Sequence, residues 1–171
     1  LDAAVQETGA KGYSNLSAML ADTNADIVVL TTPSGLHPEQ AIEIAESGRH
    51  VMTEKPMATR WHDGLRMVKA CDDANVRLFV VKQNRRNATL QLLKRAVEQG
   101  RFGKIYSVAI NVFWTRPQDY YDSAKWRGTW EFDGGAFMNQ ASHYVDAIYW
   151  LLGNVDSVMA YTATQARHIE A

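Results

Sequence analysis

An α/β fold built on a parallel sheet is what this sequence predicts, and three observations carry the prediction. Three short apolar runs of strand type, at 26–30, 50–53 and 78–81, stand between stretches with helical spacing of apolar residues. Each helical stretch is long enough to cross back over a sheet, so the alternation means right-handed βαβ units with helices on both faces. A content of 46% hydrophobic and 10% aromatic residues in 171 positions is enough to build the core that such a sheet needs.

In order, 14–21 places Leu16, Met19 and Leu20 on one helical face, and 26–30 is a continuous apolar run of the buried parallel-strand kind. The segment 31–37 is a turn by composition. Pro38 suits the first turn of a helix that runs to about Ser47 and is ended by Gly48. A second strand at 50–53 leads straight into Glu54-Lys55-Pro56. Thr59 is a candidate cap for a third helix reaching about Ala74, with Leu65, Met67, Val68 and Cys71 as its buried face. A third strand at 78–81 and a fourth helix at 88–99 follow. Past Gly103 the pattern changes: 105–114 reads as a long strand and 155–164 as another. Between them lie an aromatic-rich loop with Tyr120, Tyr121, Trp126 and Trp130, and one helix from Asn139 to Leu152. This sets a domain boundary, with 1–103 and 104–171 as the two parts. The chain opens on Leu1, in what reads as a helix, and is expected to be a segment of something longer.

Net charge is only -1, yet residues 51–104 carry twelve Lys and Arg against five Asp and Glu. The excess points to a small anionic ligand and, with near-zero overall charge and no recognition motif, away from nucleic acid. Cys71 is the only cysteine, which excludes an internal disulfide and makes thiol redox chemistry a poor fit. No run of ~18 apolar residues exists to span a bilayer and no signal pattern opens the chain, so no membrane partner and a cytoplasmic location are expected. His50 and His62 lack ligand spacing with any Cys, Asp or Glu, and no metal is expected.

Lys55 is set at the carboxyl end of a strand, where open α/β sheets hold ligands, and Pro56 stiffens the backbone beside it. Alone, Glu54-Lys55 would read as a solvated loop pair. On the last helix, at 100° per residue, Ala141, Val145, Ile148 and Leu152 fall within about 60° of one another, while Asn139, His143 and Asp146 cluster nearly opposite. Such a polar face is either a surface or the wall of a site. Gly134-Gly135 lets backbone pass close to another body, and His143 has the unperturbed pKa suited to proton transfer near neutrality. His37 either caps its helix or lines a cleft. Trp126 beside Arg127 is packing, or an aromatic surface for a planar ligand.

The turn Thr32-Pro33-Ser34-Gly35-Leu36-His37, then Glu54-Lys55-Pro56, then Gly134-Gly135-Ala136 followed by Asn139 and His143, resembles in order and spacing the Gfo/Idh/MocA family of NAD(P)-dependent sugar oxidoreductases. The resemblance implies a Rossmann-type parallel sheet whose first βαβ is missing, followed by the start of an α+β domain with an open sheet. No Gly-x-Gly-x-x-Gly occurs here to cradle a pyrophosphate. It implies Lys55, His143 and Asn139 as the catalytic group. Cofactor contacts fall to Thr32, Pro33, Ser34, Leu36, His37, Glu54, Lys55, Gln83, Trp126 and Arg127, and substrate contacts to Lys55, Arg85, Arg86, Asn139 and His143. Where the family often carries aspartate four residues before the histidine, this chain has Asn139, an amide that can orient a sugar but cannot take a proton. The stretches 81–87, 126–131 and 139–144 are most similar to one bacterial branch, the UDP-N-acetyl-glucosaminuronate 3-dehydrogenases of lipopolysaccharide O-antigen synthesis. That branch implies NAD as cofactor (NADP is the alternative), a nucleotide-sugar substrate and a homo-oligomer formed through the second domain's sheet. The rival readings are a relative acting on a free sugar or polyol, and a non-catalytic sugar-binding homologue. Intact Lys55 and His143 weigh against the last.

Overall fold

The computed structural model describes residues 1–171. The helices are α1 (Asp2–Thr8), α2 (Leu16–Asp22), α3 (His37–Glu46), α4 (Trp61–Asp73), α5 (Ala88–Glu98), α6 (Gln118–Asp122), α7 (Gly135–Met138) and α8 (Ser142–Leu152). The strands are β1 (Ile27–Leu30), β2 (His50–Thr53) and β3 (Leu78–Val80), paired in parallel in the order β1-β2-β3. Val28 faces Val51 and Val51 faces Leu78 across the register. Successive side chains of a strand point to opposite faces. Val28, Leu30, Val51 and Thr53 are therefore buried together under α3 and α4, where Ile44, Met67 and Cys71 complete the core.

The opposite face differs from the expectation of helices on both sides. Ile27, Val29 and Phe79 point away from α3 and α4 and are exposed, because no helix of this chain packs there. Leu65 and Val68, expected in the core, are also exposed, since α4 turns only its Gly64, Met67 and Cys71 side inward.

Local signals explain most boundaries. Asn15 caps α2 by accepting from the Ala18 N–H at 2.8 Å, and Asn87 caps α5 by accepting from Thr89 N–H at 2.9 Å. Gly48, at φ 78°, lets the chain leave α3 and enter β2. Thr59 does not cap α4: its hydroxyl donates instead to the Glu131 carbonyl at 2.9 Å, tying the α4 approach to the second half of the chain.

Two further expectations are corrected. The β-type runs 105–114 and 155–164 form no strand, so no second sheet is built. A strand is held by its neighbour's backbone groups, and neither run pairs with the other or with β3. The helix expected from Asn139 to Leu152 starts only at Ser142, as α8; residues 139–141 lie outside it and separate it from the short α7. Asn139 has φ -92° and ψ -81°, outside the helical region, and it is this break that aims its side chain.

The two halves of the chain are joined by α5 and α8. Arg85, just past β3, donates to both carboxylate oxygens of Asp146 on α8, at 2.9 and 2.7 Å. Lys94 on α5 donates to the Trp150 carbonyl at 2.7 Å. A two-pronged guanidinium–carboxylate pair fixes orientation as well as distance, and here it spans the joint.

Candidate active site

Beyond the carboxyl end of β2 the chain reaches Lys55, whose half-buried ammonium donates to two oxygens of Asn139: the side-chain Oδ1 at 2.9 Å and the backbone carbonyl at 3.1 Å. The Asn139 amide nitrogen donates in turn to Asp133, which is 4% exposed and also accepts from the Gly128 N–H at 2.9 Å. A lysine ammonium only donates and a carboxylate only accepts, so the amide has one workable orientation, with oxygen toward Lys55 and nitrogen toward Asp133. Lys55, Asn139 and Asp133 thus form one chain of hydrogen bonds from the cleft into the interior. Ser142 steadies it by donating to the Asn139 carbonyl at 2.9 Å.

The turn that launches this chain is set by Gly134 and Gly135, at φ 76° and 77°. A side chain at Gly134 would meet Met138 Cβ at 2.8 Å, and one at Gly135 would meet the Trp130 ring at 3.0 Å. Only glycine suits both positions.

Asp133 is the functional residue that the sequence reading missed. Its signal was its place directly before the glycine pair, but a lone carboxylate in a loop reads as surface until its partners are known. Asp133→Ala in the complete protein leaves two donors, the Asn139 amide and the Gly128 N–H, without their acceptor. We expect a loss of about 2 kcal/mol or more of stability, seen as a lower urea midpoint. An unchanged midpoint would show that the chain of bonds is not needed for the fold.

His143, four residues beyond Asn139, is 7% exposed, and its Nδ1 has no hydrogen-bond partner. Burial, then the positive charges of Lys55 and Lys82, push its pKa below the usual histidine value. The ring is therefore neutral at neutral pH, the form that accepts a proton. Burial likewise pulls Lys55 and Lys82 below the ordinary lysine value. Two cations and a neutral imidazole thus interact at one place.

A cavity of about 350 Å³ adjoins Lys55. Thr31, Thr32, Pro33, Ser34 and His37 line it from the first half, with Glu54 beside Lys55; Tyr120, Trp126, Arg127, Asn139 and Gln140 line it from the second. The Arg127 guanidinium lies 4.3 Å from the Tyr120 ring and 4.7 Å from the Trp126 ring, and its Nε is buried without a partner. Of the residues expected to meet the cofactor, Thr32, Pro33, Ser34, Glu54, Lys55, Trp126 and Arg127 are gathered here. Leu36 and Gln83 are exposed and do not line the cavity. His37 is only 1% exposed, and both its ring nitrogens already face backbone carbonyls. His143 is not part of the cavity wall either.

Of the residues expected to meet substrate, Arg85 is committed to Asp146, and Arg86 is exposed. Lys82 is half-buried among the residues between α4 and α8 and has no ion-pair partner. Its Nζ enters no hydrogen bond or salt bridge within the chain. On α8 the sorting of faces is as expected, but the polar side turns inward, with Ser142 and His143 buried and Val145 and Leu152 exposed.

Comparison with known proteins places this arrangement. The family described as "Oxidoreductase family, NAD-binding Rossmann fold" matches residues 1–82, and the one described as "GFO/IDH/MocA C-terminal domain" matches residues 90–171. Levoglucosan dehydrogenase of Pseudarthrobacter phenanthrenivorans is 30% identical over 88% of this chain and 39% of its own length. The NADP-dependent scyllo-inositol 2-dehydrogenase of Bacillus subtilis is 29% identical over 91% of this chain and 42% of its own. Among solved structures, the WlbA dehydrogenase from Bordetella pertussis, in complex with NADH and UDP-GlcNAcA, is 74% identical with a TM-score of 0.98, covering 100% of this chain and 49% of that one. The WlbA dehydrogenase from Chromobacterium violaceum, with the same two ligands, is also 74% identical, with a TM-score of 0.97 over 99% of this chain and 49% of that one. This chain spans about half the length of these relatives.

Proposed function

We infer from one premise, that this chain belongs to the GFO/IDH/MocA family of oxidoreductases, that it serves NAD-dependent oxidation of a ring hydroxyl, the one at C3, of a UDP-linked N-acetylated sugar uronate. The observation that carries this reading is Lys55, held at the cavity wall by Asn139, with His143 buried four residues beyond that asparagine. The WlbA structures that hold UDP-GlcNAcA and NADH supply the substrate and cofactor of the proposal. Its setting is lipopolysaccharide O-antigen synthesis in the cytoplasm. No helix of this chain is long and apolar enough to cross a membrane. Part of the same reading is a division into a cofactor part (1–103) and a substrate and oligomer part (104–171), with α5 as the joint and a homo-oligomer formed through the second part.

The residues present fit the nicotinamide end of the cofactor: aromatic rings, amides and a partly orphaned guanidinium line the cavity beside Lys55. Thr32, Pro33, Ser34, Trp126 and Arg127 would hold it. When bound, NAD supplies the hydride acceptor for the sugar carbon. The chain's own work is with the hydroxyl. Lys55 places a cation at the oxygen and stabilises the developing alkoxide, more strongly for being half-buried. His143, kept neutral, takes the hydroxyl proton. Asn139 holds Lys55 in place and can orient the sugar.

Mixing the complete enzyme with NAD and UDP-GlcNAcA should give NADH absorbance, with UDP-GlcNAc and a free inositol as poor substrates. Faster turnover of the free polyol would replace the reading by the relatives' chemistry.

The shifted groups also set a pH profile. A lowered His143 pKa keeps the base form present to lower pH, so the acid limb of kcat/KM should have its midpoint below about 6.5, with activity rising with pH through it. A lowered Lys55 pKa removes the cation early, so the alkaline limb should fall below about 10.4. An acid limb above the ordinary histidine value would contradict the assignment.

A further inference from the structure

The backbone hydrogen bonds between β1 and β2 end with the Glu54 N–H donating to the Leu30 carbonyl at 3.0 Å. Past that point the two strands run into separate connections. One is the turn 32–36, which lines the cavity; the other carries Lys55 and Pro56. No backbone hydrogen bond joins 31–36 to 55–57. The two segments nevertheless meet at one side chain. His37 Nδ1 lies 2.9 Å from the Pro56 carbonyl, and its Nε2 lies 2.9 Å from the Thr32 carbonyl. The ring is 1% exposed, at the start of α3, with Pro38 fixing the backbone behind it.

We propose that His37 is a positioning residue that continues the sheet's ladder beyond its last bond, tying the residue after Lys55 to the cavity-lining turn. The chemistry requires a side chain for this. Both partners are carbonyls, which only accept, so they cannot bond each other and need a donor between them. An imidazole sets its two nitrogens on a rigid ring, one 2.9 Å from each carbonyl. Burial keeps water from substituting for it, and a rigid ring leaves little freedom to lose. The span from Thr32 to Lys55 is thereby set by one ring rather than by two mobile connections. Thr32 is further held by its own hydroxyl, which donates to Gln40 at 2.6 Å on the same helix as His37, so turn, helix and lysine loop move as a unit. Both ring nitrogens of His37 are turned to these carbonyls, so it acts through Lys55.

This rests on the proposed reading for what Lys55 does, and the test separates the two. In the complete enzyme, His37→Leu removes both bonds, while His37→Gln keeps an amide with two N–H groups. His37→Leu should lower kcat about 10-fold to 100-fold through misplacement of Lys55, with the sugar-nucleotide KM close to wild type, and His37→Gln should recover part of the loss. In parallel, hydrogen exchange on the ligand-free protein should show faster exchange in 33–36 and 54–57 together, the rest of the sheet keeping its protection. Should His37→Leu not fold, the same two readouts on His37→Gln decide the matter. Wild-type kcat, or exchange unchanged in both segments, would overturn the proposal. If the wild-type enzyme does not turn over UDP-GlcNAcA, the substrate reading falls, and the exchange result still decides whether His37 couples the two segments.

Discussion

If the proposed function holds, His143→Asn in the complete enzyme should lower kcat for oxidation of the sugar nucleotide by about 100-fold or more, because asparagine cannot accept the hydroxyl proton. The fold should survive, since the ring's Nδ1 holds no bond that the change would break. KM should change little, as the base acts on the reacting proton and not on binding. The acid limb of the pH profile should disappear with the side chain. Stopped-flow or steady-state NADH formation decides it. Wild-type turnover in a folded variant would remove His143 from the reaction.

Lys55→Met removes the cation and keeps a chain of similar length, and it should also lower kcat by about 100-fold. The half-buried ammonium acts where water screens poorly, so its charge has a larger effect on the alkoxide than a surface lysine's would. The variant also leaves Asn139 Oδ1 without its donor, while the carbonyl keeps Ser142, so a lower melting temperature should accompany the slower rate. With His143→Asn added, the loss should be less than the product of the two single losses, because both groups serve one transition state. Full multiplicativity would mean that they act in separate steps.

Much of the first half was legible because its signals are local. The strands 27–30, 50–53 and 78–80 are apolar runs bounded by glycine, proline and charge, and each falls within a residue of expectation. Lys55 could be placed for the same reason: a strand that ends in Glu-Lys-Pro must deliver its lysine at its carboxyl edge. The open face of the sheet was not legible. The run 27–30 is apolar throughout, which fits a strand covered on both sides, and periodicity does not say whether a second helix layer arrives.

The second half was harder because its determinants are distant or conformational. The runs 105–114 and 155–164 have the composition of strands, but composition states an aptitude for pairing and does not supply the neighbour. The spacing of Ala141, Val145, Ile148 and Leu152 suits one continuous helix; the break at Asn139 follows from left-handed glycines upstream, which leave no mark on hydrophobic period. Arg85 looked free to meet an anion, yet its carboxylate lies 61 residues away on α8. Asp133 was overlooked for the same reason: a buried acid is recognised by what it bonds.

The glycine pair at 134 and 135 bears on how such a site can change over generations of variants. Apart from Lys55, Asn139 and His37, the walls of the cavity are side chains that take no part in the hydrogen bonds of the Lys55 ammonium. The turn that aims Asn139 at Lys55 admits one backbone path and no side chain. Drift at the walls therefore alters which molecule is accepted, while the turn holds the carboxylate, amide and ammonium in one line. Descendants of this sequence can change substrate far more readily than they can change the reaction.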